Sequence, residues 1–220
     1  LKQYGSAAFL VIHNGALLHE AYFPPYNAQS RTNSFSMAKT ITTLQTGVAV
    51  QQGFIRSFDA PLIEYLPEYA QDARGQKATI AQLSAMKSGH DWEENYYLPL
   101  NMTTDLYYGR DAQALVLSHG FEREPGSAIS AHLSRSLWQP LGMESAAIYT
   151  LDRPQDQGGM ERTYCCLFAT ARDFARFGQL LLQDGQWNGQ TLVDKALVER
   201  MRQPDLQTYY GHSLWMDGSY

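Results

Sequence analysis

Ser36 and Lys39 stand three residues apart in the stretch Asn33-Ser34-Phe35-Ser36-Met37-Ala38-Lys39-Thr40. A serine hydroxyl is a weak nucleophile until a neighbouring base takes its proton, and a neutral lysine amine is such a base. Apolar residues follow at Ile41, Leu44 and Val48, the spacing of a helix face. The polar positions Thr42, Thr43, Gln45 and Gln51 fall mostly between them. Residues three apart share a helix face, so the spacing predicts the Lys39 amine within reach of the Ser36 hydroxyl. The start of a helix adds unpaired backbone N–H groups and partial positive charge, which suit a developing oxyanion. Phe35, Met37 and Ala38 predict a dry setting, and burial favours the neutral amine. The competing assignment is that Ser36 merely caps the helix, where serine is favoured.

The same spacing recurs in Ser84-Ala85-Met86-Lys87, so the motif alone does not identify a nucleophile. Thr79-Ile80-Ala81-Gln82 forms a capping-box pattern. It predicts a short helix bearing Ile80, Leu83 and Met86 and ending at Ser88-Gly89. Ser84 then lies inside a helix, away from the N-terminal donors that surround Ser36.

The elements that must hold these residues follow from local pattern. Asn14-Gly15 between the apolar runs 7–12 and 16–23 predicts an antiparallel hairpin. Gly53 is placed to end the helix that begins at Ser36. Aromatic residues cluster in His90-Asp91-Trp92 and Tyr96-Tyr97; such a loop is either a packed lid or a substrate wall. Helices are expected over about 111–119 and around Ile129, Leu133 and Leu137. Tyr164-Cys165-Cys166-Leu167-Phe168 reads as a buried extended piece. Thr170 precedes a helix whose Phe174, Phe177, Leu180 and Leu181 form a core stripe, and Asp184-Gly185 stops it. Another helix spans 194–202, and alternation over 210–216 predicts a final strand. Strands at both ends with helices between them predict an α+β fold, with the first and last strands in one antiparallel sheet. The expected division is a discontinuous sheet domain over 1–57 and 160–220, with a helical domain over 58–159.

Composition narrows the function classes. The 220 residues are 44% hydrophobic and 18% charged, a globular balance, and the formal charge is −5. With no Lys/Arg run, nothing points to nucleic acid or an anionic membrane. No apolar run approaches the roughly 20 residues that span a bilayer. Leu1-Lys2-Gln3-Tyr4 does not read as a signal peptide, and the compartment stays open. Cys165 and Cys166 are adjacent. An ordinary disulfide joins Cα atoms about 4.4–6.8 Å apart, whereas trans neighbours are about 3.8 Å apart, so two buried free thiols are expected. Without nearby histidines the pair is a poor zinc site, and His-Glu-x-x-His is absent. No metal or organic cofactor is expected.

Several stretches together resemble the class C β-lactamase-related serine hydrolases. They are Phe35-Ser36-Met37-Ala38-Lys39-Thr40, then Leu83-Ser84-Ala85-Met86-Lys87-Ser88-Gly89, then Glu124-Pro125-Gly126-Ser127. Leu137-Trp138-Gln139-Pro140-Leu141-Gly142-Met143 and Ala169-Thr170-Ala171-Arg172-Asp173-Phe174-Ala175-Arg176-Phe177-Gly178 complete the series. The run from Gly158-Gly159-Met160-Glu161 to Cys166 looks most like the 6-aminohexanoate-dimer hydrolase branch. The resemblance implies a penicillin-recognising fold, an antiparallel sheet flanked by helices plus a helical domain, with the site between them. It implies Ser36 as nucleophile and Lys39 as its base partner, and an acyl-enzyme formed from an ester or amide, with a β-lactam, a D-peptide and an aminohexanoate-type linear amide as the alternatives. It places Trp92, Tyr96 and Tyr97 on the substrate side of the cleft.

Two family motifs are missing. A Tyr-x-Asn/Ser is expected shortly after the Pro-Gly turn, but Ser127 runs straight into Ala128-Ile129-Ser130. The Lys-Thr-Gly or His-x-Gly strand is also absent. Tyr4-Gly5-Ser6 and His13-Asn14-Gly15 match on paper, but they precede the nucleophile and read as structural. The seam at 127/128 and the missing final strand are expected to reflect stretches omitted from the sequence. The other reading is a catalytically inactive member that binds a cell-wall peptide or a protein partner through the same cleft.

Overall fold

A computed structural model describes residues 1–71, 73, 75–87, 112–121, 128–204 and 209–216. Trp92, Tyr96, Tyr97 and the Glu124-Pro125-Gly126-Ser127 turn lie outside the described residues.

The chain opens with the predicted hairpin, β1 (Ala8–His13) paired antiparallel with β2 (Ala16–Tyr22). Asn14 and Gly15 turn it with φ of 49° and 77°, the left-handed pair that matches strand twist. A second, three-stranded antiparallel sheet orders β3 (Thr32–Asn33), β5 (Leu167–Ala169) and β4 (Ile148–Tyr149) with β5 in the middle. Its pairs Thr32–Ala169 and Asn33–Phe168 carry the chain straight into the Ser36 helix. A small hairpin, β6 (Gln186–Trp187) and β7 (Gln190–Thr191), turns at Asn188-Gly189.

Helix α1 (Met37–Gln51) is the centre of the molecule. Its polar positions do not segregate to an outer face. Instead Thr42, Thr43, Gln45 and Thr46 are as buried as Ile41, Leu44 and Val48. The burial is tolerated because each hydroxyl and the Gln45 amide nitrogen has a partner, although among the described residues Gln45 Oε1 has none. Thr42 Oγ1 donates to the carbonyls of Ala38 (2.9 Å) and Thr163 (2.8 Å), and Thr46 Oγ1 to that of Thr42 (2.8 Å). Gln45 Nε2 donates to the Ile129 carbonyl at 2.8 Å. The helix closes at Gln52, and Gly53, at φ 77°, turns the chain away.

Around α1 pack α2 (Ile80–Ser84), α3 (Ala112–Phe121), α4 (Ile129–Leu133), α5 (Ala171–Leu182) and α6 (Lys195–Arg202). The Thr79 capping box forms as predicted, with both reciprocal bonds to Gln82. Helix α4 has Ala128 at its N-cap and no side-chain cap of its own. The buried Glu161 supplies the acceptor, taking the Ser130 N–H at 2.9 Å. Thr170 caps α5 through the Asp173 N–H. On α5, Phe177 and Leu180 are buried while Phe174 is only partly so. Residues from α1, α2, α3, α4, α5 and α6 share one hydrophobic cluster.

Three sequence expectations give way. The 210–216 segment is a tight turn with an isolated Tyr210–Trp215 bridge, not a strand. Among the described residues, β1 and β2 pair only with each other. Ser213 at φ 59° breaks the extended run that the alternation suggested. Ser84 is the last residue of a five-residue helix rather than the middle of a longer one, because the chain turns at Met86 with φ 59°. Cys165 and Cys166 are disulfide-bonded to each other, not free thiols. Cys166 sits at φ 69°, which departs from the extended geometry in which neighbouring side chains point to opposite faces.

Candidate active site

The residues entering α1 are held from both sides. The Ser34 N–H donates to the Leu167 carbonyl at 2.8 Å, and the Leu167 N–H returns to Ser34 Oγ at 3.3 Å. Asn33 Oδ1 accepts the Phe35 N–H at 3.1 Å. Phe35 is thereby kept at φ 45°, a left-handed conformation that an aromatic residue adopts at a cost of about 1–3 kcal/mol. This bend presents Ser36 at the mouth of α1.

Ser36 is the N-cap by position, yet its side chain caps nothing. Its Oγ instead faces Lys39 Nζ at 3.0 Å. Among the described residues the Ser36 N–H donates no hydrogen bond, which leaves it available to an oxyanion. Lys39 Nζ also donates to the Tyr164 carbonyl at 3.1 Å and lies 5.8 Å from the centre of the Tyr164 ring. The two predicted site residues are therefore brought together, one turn apart on a helix fixed by the core. The expected dry flank is not found. Ala38 is fully buried, but Phe35 and Met37 are 63% and 43% exposed, because the left-handed Phe35 turns the apolar flank outward.

Ser36 and Lys39 lie in a cleft of about 420 Å³. Met37, Thr40 and Met86 line it together with the 210–215 turn, which contributes Tyr210, Ser213 and Trp215. Tyr210 and Trp215 were read from the sequence only as strand residues. Their aromatic character is the one signal that could have placed them on a substrate wall. The rival Ser84 is 1% exposed and donates to the Ala81 carbonyl at 2.8 Å, with His212 Nδ1 2.9 Å away. No substrate carbonyl can reach it without opening the core. Among the described residues no group of His, Cys, Asp or Glu could hold a metal. Likewise no helix among them is long and apolar enough to cross a membrane.

An α+β arrangement of antiparallel sheets flanked by helices, with a serine–lysine pair at the head of a central helix, defines a class rather than one protein. The chain belongs to the β-lactamase family: the family's sequence profile matches residues 1–219. It is 26% identical to the 6-aminohexanoate-dimer hydrolase of Paenarthrobacter ureafaciens, covering 90% of this chain and 57% of that protein. Among solved structures, one provisionally assigned as a 6-aminohexanoate-dimer hydrolase, from Bacillus anthracis, superposes with a TM-score of 0.71 at 23% identity. That match covers 94% of this chain and 64% of the other. A class C β-lactamase from Rhodobacter sphaeroides superposes at 0.63 with 14% identity, covering 94% of this chain and 68% of the other. At such identities the structures establish the fold. The chain thus spans 57% and 64% of the lengths of the two hydrolase relatives.

Proposed function

We propose that the chain hydrolyses a small ester or amide through an acyl-enzyme on Ser36. The observation that carries the reading is the 3.0 Å approach of Lys39 Nζ to a Ser36 Oγ that is uncommitted to capping and open to a cleft. Lys39, as the neutral amine, accepts the hydroxyl proton while Oγ bonds to the substrate carbonyl carbon. The Ser36 N–H is one donor to the oxyanion. Collapse of the tetrahedral intermediate breaks the bond to the leaving alkoxide or amine, which receives the proton from Lys39. Water then attacks the acyl group, and Oγ leaves with a proton returned through the same amine. No cofactor enters these steps. The name of the Paenarthrobacter ureafaciens relative favours a linear amide among the candidate substrates.

A panel of p-nitrophenyl esters, nitrocefin and 6-aminohexanoate dimer tests the reading, with Ser36→Ala and Lys39→Ala as controls. Turnover of any member that both variants lose supports it. In serine hydrolases, loss of the nucleophile can reduce kcat about 10⁶-fold, and the two variants together should lose little more than one alone. Turnover that survives Ser36→Ala overturns it. Binding of a panel member without turnover points instead to an inactive member that uses the cleft as a docking site.

A further inference from the structure

One part of the cleft lining is a turn that is rooted on one side and presented on the other. Gly211 donates to the Leu214 carbonyl at 2.9 Å and Met216 to that of Tyr209 at 2.8 Å, closing the turn around His212 and Ser213. His212 and Ser213 are buried, whereas Trp215 is 70% exposed. The Trp215 indole packs against two tyrosines. Tyr209 stacks on it at 5.8 Å and 5°, and Tyr210 meets it edge-on at 4.9 Å and 71°. A large aromatic held rigid yet exposed beside the serine–lysine pair has the form of a recognition surface.

The root is a hydrogen-bond network of two residues: His212 Nδ1 lies 2.9 Å from Ser84 Oγ and 3.1 Å from the Ala81 carbonyl, and Ser213 makes the remaining bonds. Thr43 Oγ1 donates to Ser213 Oγ at 2.9 Å, and Ser213 Oγ donates onward to the Ser84 carbonyl at 2.8 Å. Thr40 Oγ1 donates to the Ser213 carbonyl at 2.5 Å. Ser213 holds φ 59°, a conformation that non-glycine residues adopt rarely and keep only where surrounding contacts impose it. Thr40 and Thr43 follow Lys39 by one and four positions, on the turn of α1 that carries the amine. The turn is also seated closely on α6: a Cβ at Gly211 would lie 2.1 Å from the Met201 carbonyl oxygen.

We propose that Ser213 is a positioning residue: its hydroxyl and carbonyl latch the Tyr210–Trp215 turn to Thr40 and Thr43 of α1 and to the end of α2, and so fix the distance of the aromatic wall from Ser36. The wall selects substrates with a flat or extended apolar flank next to the scissile carbonyl. Selectivity rests on the acyl-transfer reading of the cleft, whereas the latch itself does not. Thr40 and Ser213 line the cleft, but the latch acts on substrate through Trp215.

The test combines a structural and a kinetic arm. Protein labelled with 5-fluorotryptophan gives a fluorine resonance for Trp215, assigned by its loss in Trp215→Phe. Ser213→Gly keeps the backbone conformation easy and removes the hydroxyl. Thr43→Val removes one donor at nearly constant shape, and Thr43→Ser restores it. The latch requires the Trp215 resonance to move in Ser213→Gly and Thr43→Val, with Thr43→Ser resembling the parent. In the kinetic arm, KM for p-nitrophenyl hexanoate rises about ten-fold, the equivalent of one or two lost hydrogen bonds. KM for the acetate ester and kcat for both move less, a split that simple destabilisation would not produce. Should Ser213→Gly fail to fold, Thr43→Val carries both arms. An unmoved Trp215 resonance in a folded variant overturns the latch. A moved resonance with equal KM changes for the two esters overturns the selectivity. A parent protein without esterase activity removes the acyl-transfer reading but leaves the resonance to decide the latch.

Discussion

Glu20→Gln probes the electrostatic tie between the opening hairpin and α5. The Glu20 carboxylate accepts both Arg172 Nε (2.7 Å) and Nη2 (2.5 Å) and also the Tyr22 hydroxyl. The Arg172 guanidinium, with help from that hydroxyl, holds the carboxyl at about 2 instead of the usual 4.5. At about 1.4 kcal/mol for each ten-fold change in proton affinity, the tie is worth at most about 3.5 kcal/mol. The Glu20 side chain is 19% and that of Arg172 37% exposed, so solvent screening reduces the figure to about 1–2 kcal/mol. In a chain of this size each kcal/mol moves Tm by about 2–4 °C, so Glu20→Gln should melt about 2–8 °C lower near neutral pH. A depressed carboxyl contributes its stability above its unfolded value and loses it as pH falls toward its folded value. The gap between parent and variant should therefore narrow below about 4.5 and close near about 2. Thermal or urea melts of both proteins across that range measure it. No gap at neutral pH, or a gap undiminished in acid, would refute the assignment of the stabilisation to the charged pair.

Phe177 is 4% exposed and packs against Trp138, with ring centres 6.0 Å apart. Phe177→Ala should cost about 3–5 kcal/mol, read by chemical denaturation, and a change under about 1 kcal/mol would contradict its place in the core. Thr170→Ala, which removes the α5 cap, should cost a smaller 0.5–2 kcal/mol or so in the same assay. Ser84→Ala should leave labelling of the protein by a fluorophosphonate within a few-fold of the parent. Its hydroxyl is enclosed, and the Ser84 carbonyl that holds Ser213 remains. Loss of labelling on a folded variant would reopen the question of which serine reacts.

What could be read from the sequence was local. The Asn14-Gly15 turn, the Thr79 box, the Thr170 cap and the Ser36–Lys39 approach each depend on residues within about one turn of one another, and all four are found. What could not be read depended on partners far along the chain. Thr42, Thr43 and Gln45 look like a solvent face until Thr163, Ser213 and Ile129 arrive to bond them. The 210–216 alternation suits a strand, and only the contacts from Thr40, Thr43 and Ser84 hold Ser213 in the conformation that bends it. Phe35 and Met37 suggested dryness because neighbouring apolar residues usually share a core. The left-handed Phe35 turns them outward, held by the Asn33 side chain two residues before it, a contact the apolar pattern does not show. Ordinary spacing limits exclude a bond between neighbours, yet the Cys165–Cys166 bond forms at a Cα–Cα distance of 3.7 Å, below those limits, with Cys166 left-handed.

The most direct measurement is active-site labelling followed by peptide mapping. The folded protein is treated with a fluorophosphonate or a slowly deacylating ester, its intact mass is measured, and the modified peptide is identified. One adduct per chain, on the peptide that contains Ser36 and absent in Ser36→Ala, is the expected result. Lys39→Ala should slow its formation steeply, because it removes the amine that stands 3.0 Å from the Ser36 hydroxyl. An adduct at Ser84, or no adduct on a demonstrably folded chain, would contradict the assignment of Ser36 as the nucleophile.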